Sequence, residues 1–237
     1  MALPLVLFDL DDTLCDYAGA RVGRLRIAFG QAFAGSGGID EARLDDLVAA
    51  SIAESPHGGH HFPAFLARHG LDDLEAADEA RRWFSEHRFR GLALFPDAIR
   101  LLGVARGGQT PDGKTPGEGA RRVGLITNGP AEVQRAKIDL LELWGHVDFA
   151  IISGELGVEK PEPAIFREAL RLGEAEAGEA LYVGDSPHLD VAGARSVGIR
   201  TVWMNPGGLP WPAEEAGAPP DHEIRGLPEL EAVLAAR

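Results

Sequence analysis

The sequence predicts an α/β fold: a parallel β-sheet flanked by helices, with an all-helical segment inserted after the first strand. Three observations carry this. Short, continuous apolar runs, typical of strands buried on both faces of a parallel sheet, recur along the chain. Segments with helical spacing lie between them. One long stretch, from about residue 17 to residue 94, holds helical patterns and no convincing strand.

Leu5-Val6-Leu7-Phe8 is the first run, and it stops at acidic residues. The inserted segment follows. Val22, Leu25, Phe29, Ala32 and Phe33 mark one amphipathic helix, Leu44, Leu47 and Val48 a second, and Trp83, Phe84 and Phe89 lie in a further one. Strand-like runs resume with Val123-Gly124-Leu125-Ile126, Phe149-Ala150-Ile151-Ile152, Ala180-Leu181-Tyr182-Val183 and Thr201-Val202-Trp203-Met204. Between them, Val133, Ile138, Leu141 and Trp144 fit one helix face. Pro163 suits a first helical turn, with Ile165, Phe166, Ala169 and Leu170 following at helical spacing. The alternation implies right-handed crossovers and a Rossmann-like core. The expected division is a core of residues 1–16 and 95–237 with a helical insertion at 17–94. The stretch from Gly103 to Arg122, rich in Gly, Pro and Thr, reads as a surface excursion, and Gly207 to Pro220 as a loop. There is no internal repeat.

Of the 237 residues, 45% are hydrophobic and 25% charged, which is ample for a packed core. The net charge of −14 repels nucleic-acid backbones and anionic membranes, so neither is an expected partner. A single cysteine, Cys15, excludes an intrachain disulfide and suits a reducing cytoplasm. The start of the chain lacks the basic lead and apolar stretch of a signal peptide, and no run approaches a membrane span. A cytoplasmic location is expected.

Four polar clusters each follow an expected strand, at the edge where open parallel sheets bind ligands. The first is Asp9-Leu10-Asp11-Asp12-Thr13. Three acids this close repel one another, and Mg²⁺, which prefers oxygen ligands, would relieve them. A solvated turn or a helix N-cap is the bland reading. The second, Thr127-Asn128-Gly129-Pro130, leads into a helix, where backbone N–H groups can hold a phosphate; simple capping by Thr127 or Asn128 is the alternative. The third sets Lys160 in a turn with Pro161 and Pro163, poised to bridge a carboxylate and a phosphate unless it is an ordinary surface lysine. The fourth, Gly184-Asp185-Ser186, is followed by Asp190, which could also start a helix. Four such clusters in register are hard to explain as caps alone.

In this order the clusters resemble the motifs of the haloacid dehalogenase-like hydrolases, and the match covers nearly the whole chain. Asp9 to Thr13 looks like the first family motif, Thr127 the second, Lys160 the third, and Gly184-Asp185-Ser186 with Asp190 the fourth. The insertion is similar to the small helical cap of one large subgroup. The resemblance implies Asp9 as nucleophile and Asp11 as the group that protonates the leaving oxygen and then activates water. Thr127 and the Asn128 backbone would hold the phosphoryl oxygens, with Lys160 neutralising charge. Mg²⁺ would be bound by the Asp9 carboxylate, the Asp11 main-chain carbonyl and Asp185. Asp190 would support the metal shell and Thr13 would help orient the loop.

Such a phosphatase would hydrolyse a small phosphorylated metabolite through an aspartyl-phosphate, as a monomer or homodimer. A carboxylate nucleophile splits the hydrolysis in two, and phosphoryl transfer needs mainly positioning and charge neutralisation. Relatives that dehalogenate lack the acid at the position of Asp11, so its presence favours a phosphatase. A sugar phosphomutase shares the core residues, and a noncatalytic binding protein of the same fold is the reading outside enzymes. No early lysine in the cap supports a Schiff-base phosphonatase. Asp12 followed by Thr13-Leu14 leans toward the nucleotidase-like and sialic-acid-phosphate phosphatase branches. His57, His60 and His61 cluster in the insertion. They read as an exposed loop or a wall of the substrate pocket, and as a zinc site only with a fourth ligand. Cys15, Trp203 and Trp211 read as packing residues.

Overall fold

The computed structural model describes residues 3–55, 58–107 and 121–235. His57 and most of the Gly/Pro-rich stretch at 103–122 lie outside the described residues. The chain forms two compact units, Met1–Asp16 with Leu94–Arg237, and Tyr17–Ala93.

The first unit is built on a six-stranded, wholly parallel sheet. Its strands are β1 (Leu5–Phe8), β2 (Arg122–Thr127), β3 (Phe149–Ile152), β4 (Ala180–Gly184), β5 (Arg200–Met204) and β6 (His222–Ile224), in the spatial order β3-β2-β1-β4-β5-β6. Every residue of β1 is buried, as its apolar run requires for a strand covered on both faces. Burying each such Leu or Phe side chain contributes roughly 1.5–3 kcal/mol. Leu5 and Leu7 pack with Ile126, Ile165, Phe166 and Tyr182. The chain runs from β1 outward to β2 and β3, then crosses back to β4 on the other side of β1. The strand order therefore reverses at β1, and the carboxyl ends of β2, β1 and β4 border the crevice this reversal opens.

The helices of this unit are numbered after four in the other. They are α5 (Ala98–Ala105), α6 (Ala131–Leu140), α7 (Ser153–Leu156), α8 (Pro163–Gly173), α9 (Gly193–Ser196), α10 (Ala213–Ala216) and α11 (Leu230–Ala235). Several expectations need correction. Helix α5 runs through Gly103, so the Gly/Pro-rich stretch starts later than its composition suggests. The loop at 207–220 contains the single turn α10. Strand β6 was not expected: its three residues include two exposed polar ones, which leaves no apolar run to see. Most consequentially, the buried face of α6 is only partly the expected apolar set: Ile138 and Leu141 are buried, but Val133 is only half-buried. Gln134 and Lys137 are buried with Ile138, while Trp144, beyond the helix, is exposed.

The second unit comprises α1 (Tyr17–Ala34), α2 (Glu41–Glu54), α3 (Phe62–Arg68) and α4 (Leu74–Glu86). Asp40 caps α2 by accepting from Arg43 N at 2.8 Å, and Asp73 caps α4 by accepting from Glu75 N and Ala76 N at 3.0 Å each. Phe29, Phe62, Phe65 and Phe84 form the aromatic heart of its core, with Phe29 and Phe62 edge to face at 4.9 Å. On α1 the apolar pattern again misleads. Val22 is 36% exposed, whereas Arg21 and Arg24 are buried, Arg24 lying over the Phe84 ring at 4.8 Å. No helix among the described residues is long and apolar enough to cross a membrane.

Candidate active site

The first acidic cluster starts where β1 ends. Phe8 aligns with Leu125 of β2 and Val183 of β4, and Asp9 N donates to Val183 O at 2.9 Å, so Asp9 stands one residue past the sheet's carboxyl edge. The chain then turns tightly: Leu14 N donates to Leu10 O at 3.0 Å, and Asp12 N to Cys15 O at 2.8 Å. The turn needs a left-handed residue, and Asp12 takes it at φ 60°, a conformation aspartate tolerates better than most.

Asp9 is 5% exposed. Its Oδ1 accepts from Lys160 Nζ at 2.5 Å, and its Oδ2 from Thr13 Oγ1 at 3.5 Å. The same ammonium donates to Asp190 Oδ1 at 2.7 Å and to Tyr182 Oη at 3.2 Å, and Tyr182 Oη donates to Asp190 Oδ1 at 3.0 Å. Asp190 Oδ2 accepts from Ser186 N at 3.0 Å. Asp190 thus braces Lys160 from inside a wide turn, Pro187–Ala192, that contains a π-type bond from Val191 N to Ser186 O at 3.2 Å. It does not start a helix; Ser186 caps this turn, accepting from Leu189 N at 3.2 Å. Gly184 makes the arrangement possible, because a Cβ there would overlap the Asp190 carboxyl group.

Neither Thr127 nor Asn128 caps α6, whose N-cap is Pro130. Asn128 instead clamps the lysine loop, its Nδ2 donating to Lys160 O at 2.9 Å and its Oδ1 accepting from Lys160 N at 2.8 Å. Thr127 Oγ1 accepts from Gln134 Nε2. Gly129, at φ 141°, leaves room for that side chain, since a Cβ would come within 3.1 Å of Gln134 Cγ. Asp11, the second acid, is held by Lys137 Nζ at 2.6 Å and Gln134 Nε2 at 3.2 Å, both on Oδ2.

The electrostatics follow from burial. Burial works against the Lys160 charge, but Asp190 and Asp9 outweigh it and hold the ammonium above the ordinary lysine value. Burial pushes the Asp9 carboxyl up to about 7 against the pull of Lys160, with Asp190 adding to the rise. Asp185 is pushed up to about 8 by burial and then by the charges of Asp9 and Asp190. Among the described residues, Asp9, Asp185 and Asp190 form the one group with ligand atoms all within 4.8 Å of one another. Three carboxylates face one ammonium, a deficit of two positive charges, and all the offered donors are hard oxygens. The donor set fits a divalent cation such as Mg²⁺.

The structure therefore gathers Asp9, Asp11, Thr13, Thr127, Asn128, Lys160, Asp185 and Asp190 in the α/β unit. His60 and His61 lie in the helical unit. His61 bonds Ser51 Oγ through Nε2 at 2.9 Å, its Nδ1 is buried with no partner among the described residues, and burial lowers its pKa. Cys15 is buried and donates weakly to Leu10 O at 3.4 Å, and burial pushes its thiol up. Sequence reasoning missed Gln134, Lys137, Tyr182 and Trp203. Trp203 packs edge to face on Trp211, as a packing residue would, but its Nε1 also donates to Asp185 O at 2.8 Å. The spacing of Gln134 and Lys137, three residues apart on the face of Ile138, was the one available signal.

Over residues 3–198 the chain matches the family described as haloacid dehalogenase-like hydrolase, and it belongs to that family of hydrolytic enzymes. It is 35% identical to a phosphoserine phosphatase of Thermus thermophilus, over 69% of this chain and 61% of that protein. To a glyceraldehyde 3-phosphate phosphatase of Pyrococcus abyssi it is 31% identical, over 86% and 82%. Among solved structures, a 2-haloacid dehalogenase from Pseudomonas syringae pv. tomato superposes with a TM-score of 0.61, at 33% identity over 99% of both chains.

Proposed function

We propose that this chain is a Mg²⁺-dependent phosphatase of the cytoplasm that hydrolyses small, soluble phosphate monoesters through an aspartyl-phosphate on Asp9. The observation that carries this reading is the pairing of Asp9 with Lys160 at 2.5 Å, beside a second acid, Asp11. Asp9 attacks phosphorus as the ester P–O bond breaks, and Asp11 gives a proton to the leaving oxygen. Water then adds to phosphorus and yields its proton to Asp11 as the bond to Asp9 breaks. Such proton transfer is worth about 10²–10⁴-fold. Thr127, with its oxygen already accepting from Gln134, has its hydroxyl hydrogen left to donate to a phosphoryl oxygen, together with the Asn128 N–H. Lys160 neutralises charge between nucleophile and phosphate. Asp9, the Asp11 carbonyl and Asp185 would hold Mg²⁺, with Asp190 supporting them. When bound, the ion neutralises the phosphoryl group as it meets the carboxylate.

The named activities of the relatives, on phosphoserine and on glyceraldehyde 3-phosphate, support a small phosphorylated metabolite as substrate. The dehalogenase likeness favours a second reading, halide displacement from a 2-haloacid. Asp11 weighs against it, because halide leaves without a proton. The deciding assay measures phosphate release from a panel of phosphomonoesters and halide release from 2-haloacids, with wild type and Asp9→Asn. Phosphate release that Asp9→Asn loses while its melting temperature holds is the expected result. Retained turnover would overturn the covalent mechanism, halide release the phosphatase reading, and an isomerised sugar phosphate would point to a mutase.

A further inference from the structure

The α6 face that defied the apolar pattern has a specific geometry. Gln134 and Lys137 are 1% and 4% exposed, one helical turn apart, and both reach the same oxygen of Asp11. Burying a lysine is costly unless its charge is met, and an isoleucine or leucine at either position would pack at lower cost. Asp11 Oδ2 thus receives two strong donors, while Oδ1 receives the Cys15 thiol, a weak donor, at 3.7 Å. Gln134 donates to Thr127 as well, so a single amide ties the first polar cluster to the second.

We propose that Gln134 and Lys137 are positioning residues that fix the rotamer of Asp11 for proton transfer. Holding Oδ2 from α6 leaves Oδ1 as the oxygen that gives the proton to the leaving group and later takes one from water. Neither residue touches the reacting phosphorus; both act through Asp11. The inference rests on the phosphatase reading.

Leaving-group dependence tests it. p-Nitrophenyl phosphate expels an oxygen that needs no proton, whereas the alkoxide of glycerol 2-phosphate does. kcat/KM is measured for both esters with wild type, Lys137→Met, Gln134→Leu, Asp11→Asn and the Lys137→Met/Asp11→Asn double variant. The expected result is that Lys137→Met and Gln134→Leu lower kcat/KM for the alkyl ester roughly tenfold more than for the aryl ester, a part of the full general-acid effect. In the Asp11→Asn background, Lys137→Met should add no further discrimination, as coupled residues are non-additive. Equal loss on both esters, or an additive loss in the double variant, overturns the inference while leaving the phosphatase reading intact. If Asp11→Asn itself treats both esters alike, the inference falls together with the acid–base role of Asp11, while phosphate release still supports a phosphatase. Should Lys137→Met fail to fold, Gln134→Leu and the double variant, in which neither charge is buried alone, decide the question in its place.

Discussion

Asp190 shows how one glycine can govern a site it never touches chemically. The carboxyl of Asp190 is 1% exposed and takes donors on both oxygens, from Lys160 and Tyr182 on one side and Ser186 N on the other. It occupies the space a side chain at Gly184 would need. With every polar atom committed, Asp190 cannot move aside without dropping a bond to Lys160. Gly184→Ala should therefore cost about 1–3 kcal/mol of stability by overpacking and lower kcat/KM at least about tenfold by displacing the lysine brace. Melting temperature and phosphate release measured together check this; a variant with wild-type turnover would show that the brace is dispensable. The opposite holds at Asp12, whose positive φ a glycine adopts freely, so Asp12→Gly is expected to keep the turn.

At the scale of elements, β1 to β5 were legible because parallel strands buried on both faces have little choice but continuous apolar sequence, which the edge strand β6 lacks. The four polar clusters were legible for the same reason, as each breaks such a run abruptly. What escaped was the reverse case, polar residues turned inward. Gln134 and Lys137 on α6, and Arg21 and Arg24 on α1, are polar yet buried, because each has a hydrogen-bond partner or an aromatic ring to receive its polar group. Only tertiary structure supplies those partners. The loop between α2 and α3 is a related case. His61 is anchored to Ser51, so it packs as well as titrates, and it stacks edge-on against Phe62 and Phe65. On the proposed function the α/β unit's motifs would serve phosphate and metal alone, which leaves the histidines of the insertion, read from the sequence as a wall of the substrate pocket, as candidates for choosing the leaving group. Replacing His57, His60 and His61 with Ala is expected to reorder kcat/KM among nucleotides and sugar phosphates without changing the Mg²⁺ requirement. A uniform fall across substrates, or no change, would return these residues to an ordinary loop.

For the whole molecule, the crowding of carboxylates has a cost that depends on pH. Asp9 and Asp185 are raised from 3.8 to about 7 and about 8, so between those limits the folded chain binds more protons than the unfolded one. The contribution of these two acids to stability then falls as pH rises from about 4 to about 8, and a cation bound to the ionised acids should restore it. Thermal melts in chelator and in Mg²⁺ across that range check the sign; a chelated protein that gains stability toward pH 8 would contradict it. The strand order carries a consequence of another kind. Strand β1 leaves the ribosome before either of its two partners, which begin only at Arg122 and Ala180. Until they emerge, a fully apolar strand waits without a sheet, while α1 to α4, contiguous in sequence, can already assemble. Non-local pairing is the slow part of folding and the part most open to aggregation. In refolding followed by pulse-labelled hydrogen exchange, the amides of α1 to α4 should gain protection before those of β1, so the strand that leads into Asp9 would order only after the helical unit.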